Sequence, residues 1–191
     1  MRFKPLMLGF VLTALAVGQA SAQNFQLGLE AGANFANFIG SDVTTTLNSA
    51  PASKLGFVGG GFLCLNFGKV IGIRPEVLYE QKGAAISGTS TSTELDYIEV
   101  PVLLKFSLGL PNVNPALLLG PSFSWNVLAK DVNNKTIPDI NGSDVGIVGG
   151  IELDMDKFLV SGRYELGLQN IQNNTNVQNG TLTFLVGYSF I

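Results

Sequence analysis

The sequence predicts an all-β protein, an eight-stranded antiparallel up-and-down transmembrane β-barrel preceded by a cleavable signal peptide. Three observations predict it. First, in residues 70–82 the odd positions are apolar or aromatic (Ile71, Ile73, Pro75, Val77, Tyr79), while Arg74, Glu76, Glu80 and Lys82 take even positions. Successive side chains of a strand point to opposite faces, so one face is oily and the other ionic. Second, the chain is 46% apolar and only 13% charged, yet no apolar run after the N-terminal segment reaches the ~18 residues of a membrane helix. Third, the alternating segments are joined by connections that are long and short in turn, the pattern of barrels in an outer membrane.

The segments follow in order. In residues 25–35 the apolar phase is Phe25, Leu27, Leu29, Ala31, Ala33 and Phe35, with Glu30 and Asn34 opposite. Residues 55–67 carry Leu55, Phe57, Leu63, Leu65 and Phe67 on that phase, and residues 70–82 follow as above. Residues 97–108 set Ile98, Val100, Val102, Leu104 and Phe106 against Glu99 and Lys105. Residues 115–127 set Leu117, Leu119, Phe123 and Trp125 against Ser122, Ser124 and Asn126. Residues 144–155 set Val145, Ile147, Ile151 and Leu153 against Asp144 and Glu152. Residues 158–169 set Phe158, Val160, Tyr164, Leu166 and Leu168 against Arg163 and Glu165. Residues 181–190 close the series, with Leu182, Phe184, Val186, Tyr188 and Phe190 against Thr181, Thr183 and Ser189.

Long polar connections are expected at residues 36–54, 83–96, 128–143 and 170–180, and tight ones at 68–69, 109–114 and 156–157. An even strand number lets the sheet close and leaves no edge in lipid. Outward aromatics near the short-turn end (Phe25, Phe67, Phe106, Phe158, Tyr188, Phe190) and near the loop end (Phe35, Phe57, Tyr79, Trp125) read as two interfacial girdles. Pro75, Pro101 and Pro121 fall inside strands, where each removes a ladder donor; they read as bulges or register adjusters.

The first 22 residues read as the signal peptide. Arg2 and Lys4 form a basic start, residues 6–17 an apolar stretch, and Ala20-Ser21-Ala22 a small-x-small cleavage site. The barrel domain then occupies residues 23–191. Without Arg2 and Lys4 it holds 9 basic and 14 acidic residues, a formal net charge of −5. That disfavours nucleic acid, which needs a basic patch. There is no histidine, which removes Ser-His-Asp and Cys-His catalysis and His-ligated zinc. The lone Cys64 forms no internal disulfide framework and reads as a small lumen filler.

The inward phase carries Glu30, Glu76, Glu80, Glu99, Asp144, Glu152 and Glu165 against Arg74, Lys82, Lys105 and Arg163. An eight-stranded barrel is just wide enough for its side chains to fill, so these groups are expected to interlock as an ion network that plugs the lumen. Three acids lack a basic mate; protonation, loop water or a cation would satisfy them. No calcium-loop spacing occurs, and a filled lumen offers no cleft for a carboxylate pair to work on a substrate. The residues therefore suggest no catalytic, cofactor or metal set.

Several stretches resemble a known family. Residues 28–35 (GLEAGANF) resemble the GLKAGVNFS opening of PorT-like outer-membrane β-barrel proteins of Bacteroidota. Residues 73–83 (IRPEVLYEQKG) are similar to their IQPELLYSQKG strand, and residues 97–105 (YIEVPVLLK) to YLEIPLLLKY. Residues 118–122 (LLGPS) and 163–168 (RYELGL) match as well. The resemblance implies an outer-membrane barrel and familiar places for the prolines. Some relatives take part in type IX protein secretion and gliding. One departure is the C-terminus: such barrels commonly end on an aromatic residue, and here Phe190 is followed by Ile191.

The expected protein is thus a monomer surrounded by outer-membrane lipid. It is non-enzymatic, with a structural or interaction role toward an envelope or extracellular protein partner. A small ion-conducting channel is the alternative, and an outer-membrane enzyme a more distant one.

Overall fold

Alternation of apolar and polar side chains suits a strand that meets different media on its two faces, and all eight segments adopt that conformation. The computed structural model describes residues 25–41, 51–86, 92–130, 142–170 and 176–191; the proposed signal peptide lies outside the described residues. The strands are β1 (Phe25–Ile39), β2 (Pro51–Phe67), β3 (Ile71–Ile86), β4 (Ser92–Ser107), β5 (Asn114–Lys130), β6 (Ser143–Met155), β7 (Phe158–Gly167) and β8 (Gln178–Ser189). Each pairs antiparallel with its sequence neighbours, and β1 pairs with β8 from Gly28↔Ser189 to Ile39↔Gln178. The sheet is therefore a closed barrel in simple chain order.

The short connections have local causes. Gly68 turns the chain between β2 and β3 at φ 78°, a left-handed conformation that costs glycine little. Asp156 takes φ 59° in the two-residue turn between β6 and β7, the kind of position that Asp tolerates in tight hairpins. In the β4–β5 connection the Asn114 side-chain carbonyl accepts hydrogen bonds from the backbone N–H of Gly109 (2.9 Å) and Leu110 (3.2 Å).

Most strands run past their expected ends on the loop side, while β7 stops at Gly167, short of the expected 169. β2 starts at Pro51 rather than 55, β4 at Ser92 rather than 97, and β5 continues to Lys130. In those extensions the alternation fades. Glu94 and Asp96 share the outward phase of β4 with Ile98, and the Tyr79 hydroxyl donates to Asp96 Oδ2 at 2.6 Å. Charge on the outward phase is thus confined to the loop-side rim, where water and lipid headgroups meet the strand.

The prolines do not mark the register shifts. Pairing passes from Pro75↔Val102 to Leu78↔Glu99 and from Pro101↔Ser122 to Leu104↔Leu119 without slipping. A proline lacks one donor toward one neighbour, so it loses a rung while the rungs on either side hold the register. The shifts occur instead between Ser53 and Val58 of β2, and at Asp96/Tyr97, whose partners Leu128 and Asn126 leave Val127 of β5 as the extra residue.

Glycines let large side chains lie close to the sheet. A Cβ on Gly150, whose partner across the ladder is Arg163, would stand 2.8 Å from Arg163 Cγ and 2.6 Å from the carbonyl oxygen of Gly162. On the outer face aromatic side chains cover backbone that glycine leaves bare. The Phe57 ring reaches within 2.9 Å of a Cβ at Gly59, and the Tyr164 hydroxyl within 2.8 Å of one at Gly180. Such aromatic cover compensates for weak strand propensity at glycine.

Candidate functional site

The pleat of β3 sends Arg74, Glu76, Leu78, Glu80 and Lys82 into the barrel, and all five are buried. The interior they enter is also lined from β1 by Glu30 and Asn34, from β4 by Glu99 and Lys105, from β6 by Glu152 and from β7 by Arg163 and Glu165. These side chains gather into two groups.

The first group centres on two guanidinium groups. Arg74 Nη2 lies 2.6 Å from Glu30 Oε2, Arg74 Nε 2.7 Å from Glu76 Oε1, and Arg74 Nη1 pairs with Glu152 Oε2. Arg163 Nη1 lies 2.6 Å from Glu76 Oε2 and its Nη2 3.3 Å from Glu30 Oε2. The planar fork of arginine lets one cation serve several carboxylates at once. The Arg74 guanidinium also sits 4.1 Å from the centre of the Phe62 ring, a cation–π geometry. Lys105 extends the group toward the short-turn end, bonding Glu152 Oε1 at 2.9 Å and Asp154 Oδ2 at 2.6 Å.

The second group is built on one ammonium. Lys82 Nζ contacts Glu99 Oε2 at 2.5 Å, Glu80 Oε2 at 3.0 Å and Glu165 Oε2. Hydroxyl groups supply the donors that further cations do not. Ser122 donates to Glu165 (2.7 Å), Ser124 to Glu99 (3.2 Å) and Thr183 to Glu80 (3.3 Å). Carboxylate oxygens of Glu80, Glu99 and Glu165 lie within 4.8 Å of one another, the arrangement that suits a hard cation. The Lys82 ammonium holds that central position.

Apolar side chains fill the space around these groups, with one cluster of Val58, Leu78 and Leu185 and another of Leu103, Leu118 and Val148. A void of about 20 Å³ remains beside Glu80, Glu99, Arg163 and Glu165, roughly the space of one water. At the short-turn end the interior opens into a polar cavity of about 520 Å³.

Most lumen residues inferred from alternation thus meet in these two groups. Asp144 stands apart: it is buried but forms no ion pair among the described residues. It accepts instead from the Asn179 amide (3.1 Å) and the Gln169 backbone N–H (3.4 Å). Asp154 is a member that the sequence reading missed. It is two residues beyond Glu152, on the same phase, and that spacing was its signal. Cys64 is fully buried inside, with Sγ 3.3 Å from Asn66 Oδ1.

The aromatic residues assigned to girdles lie on the outer phase of their strands. Phe67, Phe106, Phe158, Tyr188 and Phe190 are exposed, while Phe25, Tyr79 and Trp125 are partly covered. Near the short-turn end Phe158, Tyr188 and Phe190 stack edge to face, with ring centres 5.2 and 5.8 Å apart. Near the loop end Phe35 meets Phe184 at 6.5 Å.

Comparison with known proteins adds the following. A family model described as "Outer membrane protein beta-barrel domain" matches residues 19–173. No curated protein sequence matches the chain. Among solved structures, Neisserial surface protein A is similar at 17% identity and a TM-score of 0.56, over 86% of this chain and 97% of that one. Ail, the attachment invasion locus protein of Yersinia pestis, solved with the heparin analogue sucrose octasulfate, is similar at 15% identity and a TM-score of 0.52. That match covers 88% of this chain and all of Ail. At these identities the likeness is one of fold.

Proposed function

Because the chain belongs to the outer membrane protein β-barrel domain family and resides in the bacterial outer membrane, we propose that it is a plugged, non-enzymatic barrel that serves the envelope through contacts at its rims. The observation that carries this reading is the interior itself. Arg74, Lys82, Lys105 and Arg163 are each tied to two or more carboxylates, and the void beside them has room for about one water. An ion crossing this section would have to strip buried pairs of their partners, which costs several kcal/mol for each one broken.

Catalysis finds little support in the same interior. The chain has no histidine, and among the described residues the lumen shows no cleft flanked by free carboxylates. Function then falls to what the barrel presents at its two ends. The resemblance to PorT-like proteins of Bacteroidota makes a link to a secretion assembly the first partner class to examine. Ail was solved with a polyanion analogue, but a barrel domain carrying a formal charge of −5 is poorly suited to a polyanion partner.

The test is electrical. Refolded full-length barrel in a planar bilayer is expected to give no steady conductance at moderate voltage. Sustained unitary openings would overturn the plugged lumen and favour a small channel.

A further inference from the structure

The cavity of about 520 Å³ at the short-turn end is unlike the rest of the interior, because several polar groups around it are unspent. Its wall is formed by Gln26 of β1, Asn66 of β2, Lys69 at the β2–β3 turn, Lys105 and Ser107 of β4, and Asp154 of β6. Lys105 and Asp154 bond each other at its floor. Ser107 is more than nine-tenths buried (8% exposed) and borders the cavity. Its hydroxyl, the Gln26 amide and the Lys69 ammonium have no hydrogen-bond or ion-pair partner among the described residues. The Ser107 hydroxyl therefore opens onto the cavity, where it can donate to whatever enters.

The charge of the wall runs against that of the molecule. Lys105 is spent on Glu152 and Asp154, which leaves the Lys69 ammonium as the uncommitted charge of the wall, a positive one on a barrel domain with a formal −5. Its size falls within the range of ligand pockets, which is about 300–1,000 Å³. In barrels of this class the short turns face the periplasm, so whatever enters comes from that side.

We propose that this vestibule is a docking site for an acidic peptide segment of a periplasmic partner. One carboxylate takes the Lys69 ammonium, and the chain lies across the Ser107 hydroxyl and the Gln26 amide. The proposal rests on the envelope-interaction reading and gives it a place and a partner chemistry; it does not depend on whether the lumen conducts.

The experiment uses the full barrel, refolded in detergent micelles with ¹⁵N label. The probe is the tripeptide acetyl-Glu-Asp-Glu-amide, followed by backbone amide shifts. Saturable shifts at Lys69 and Ser107 are expected, with a loss of affinity of about tenfold in Lys69→Met, the loss of one charge-assisted bond. Ser107→Ala is expected to weaken binding by a smaller factor. Lys69 lies exposed in a turn, so the first variant leaves the fold intact. The proposal is overturned if acetyl-Gln-Asn-Gln-amide binds as well, if succinate binds as well as the peptide, or if both variants keep the parent affinity. A silent bilayer with no peptide binding sinks this inference alone, while steady conductance with peptide binding sinks only the plug.

Discussion

Arg74 shows what one side chain does in this interior. It reaches Glu30, Glu76 and Glu152, which come from three different strands; Arg163 lies near the same three but is tight only on Glu76, at 2.6 Å against 3.3 and 3.8 Å to Glu30 and Glu152. In Arg74→Met the stem remains and the charge goes, so three carboxylates are left to Arg163 and Lys105. The expected cost is about 3–5 kcal/mol, the usual range for removing one partner from a buried pair. Urea titration of the refolded barrel, read by the fluorescence of the single tryptophan Trp125, measures it. Lys157→Met, in an exposed turn, is the control and should fall within about 0.5 kcal/mol of the parent. Gly150 makes the complementary point. A larger side chain there would strike Arg163 Cγ and the Gly162 carbonyl, so Gly150→Val is expected to lose about 1–3 kcal/mol or more through overpacking, by the same titration.

At the scale of the strand, the informative element is β5. Its extra residue, Val127, changes the pairing with β4 from Tyr97↔Asn126 to Asp96↔Leu128. The Asn126 amide bridges the irregularity, donating to the carbonyl oxygens of Leu128 (3.0 Å) and Asp96 (3.3 Å). Deleting Val127 should straighten the ladder while keeping Leu128 opposite Asp96 and Ala129 opposite Leu95, because the extra residue alone absorbs the one-residue offset. Thiol labelling of Ala129→Cys is expected to be the same with and without the deletion; a changed accessibility would contradict the bulge. This bulge was illegible in the sequence, as were the true strand ends. Alternation is imposed by two unlike media, and it was clear wherever lipid meets one face and packed side chains the other, as in residues 70–82. Around Asp96 the pattern runs the other way, with Glu94 and Asp96 on the outward phase and Leu95 and Tyr97 buried inside, so the lipid-facing alternation does not mark these residues as strand. The prolines misled for a related reason: they look like breaks, but each removes only one rung. Which carboxylate meets which cation was also beyond reading, since Arg74–Glu152 and Lys82–Glu165 join residues 78 and 83 positions apart.

The whole barrel is an inverted solution to burial, with its exposed apolar side chains on the outside and its charges within. A charge added to the outside should therefore be costly in proportion to its depth. Leu119 is 54% exposed and lies midway along the lower part of β5, so Leu119→Arg is expected to cost about 2–4 kcal/mol in lipid vesicles. Leu110→Arg, in the β4–β5 turn, should cost little. Equal effects at the two positions would mean that the outer face does not meet hydrocarbon.

The chain-order topology has a bearing on how the molecule is made. The first and last strands are the ones that meet to seal the cylinder, and each cation of β3 finds one of its counter-charges on β6 or β7. An open sheet caught midway through synthesis or insertion would carry Arg74 without Glu152 and Lys82 without Glu165, each cation lacking one of its three carboxylates. Glu30 and Glu76 would likewise lack Arg163 of β7, so the network is completed, and the last edges are sealed, only with the late strands. Assembly should accordingly be all-or-none, with few half-built species, and a chain truncated before β6 should be left to proteolysis rather than lodge in the membrane.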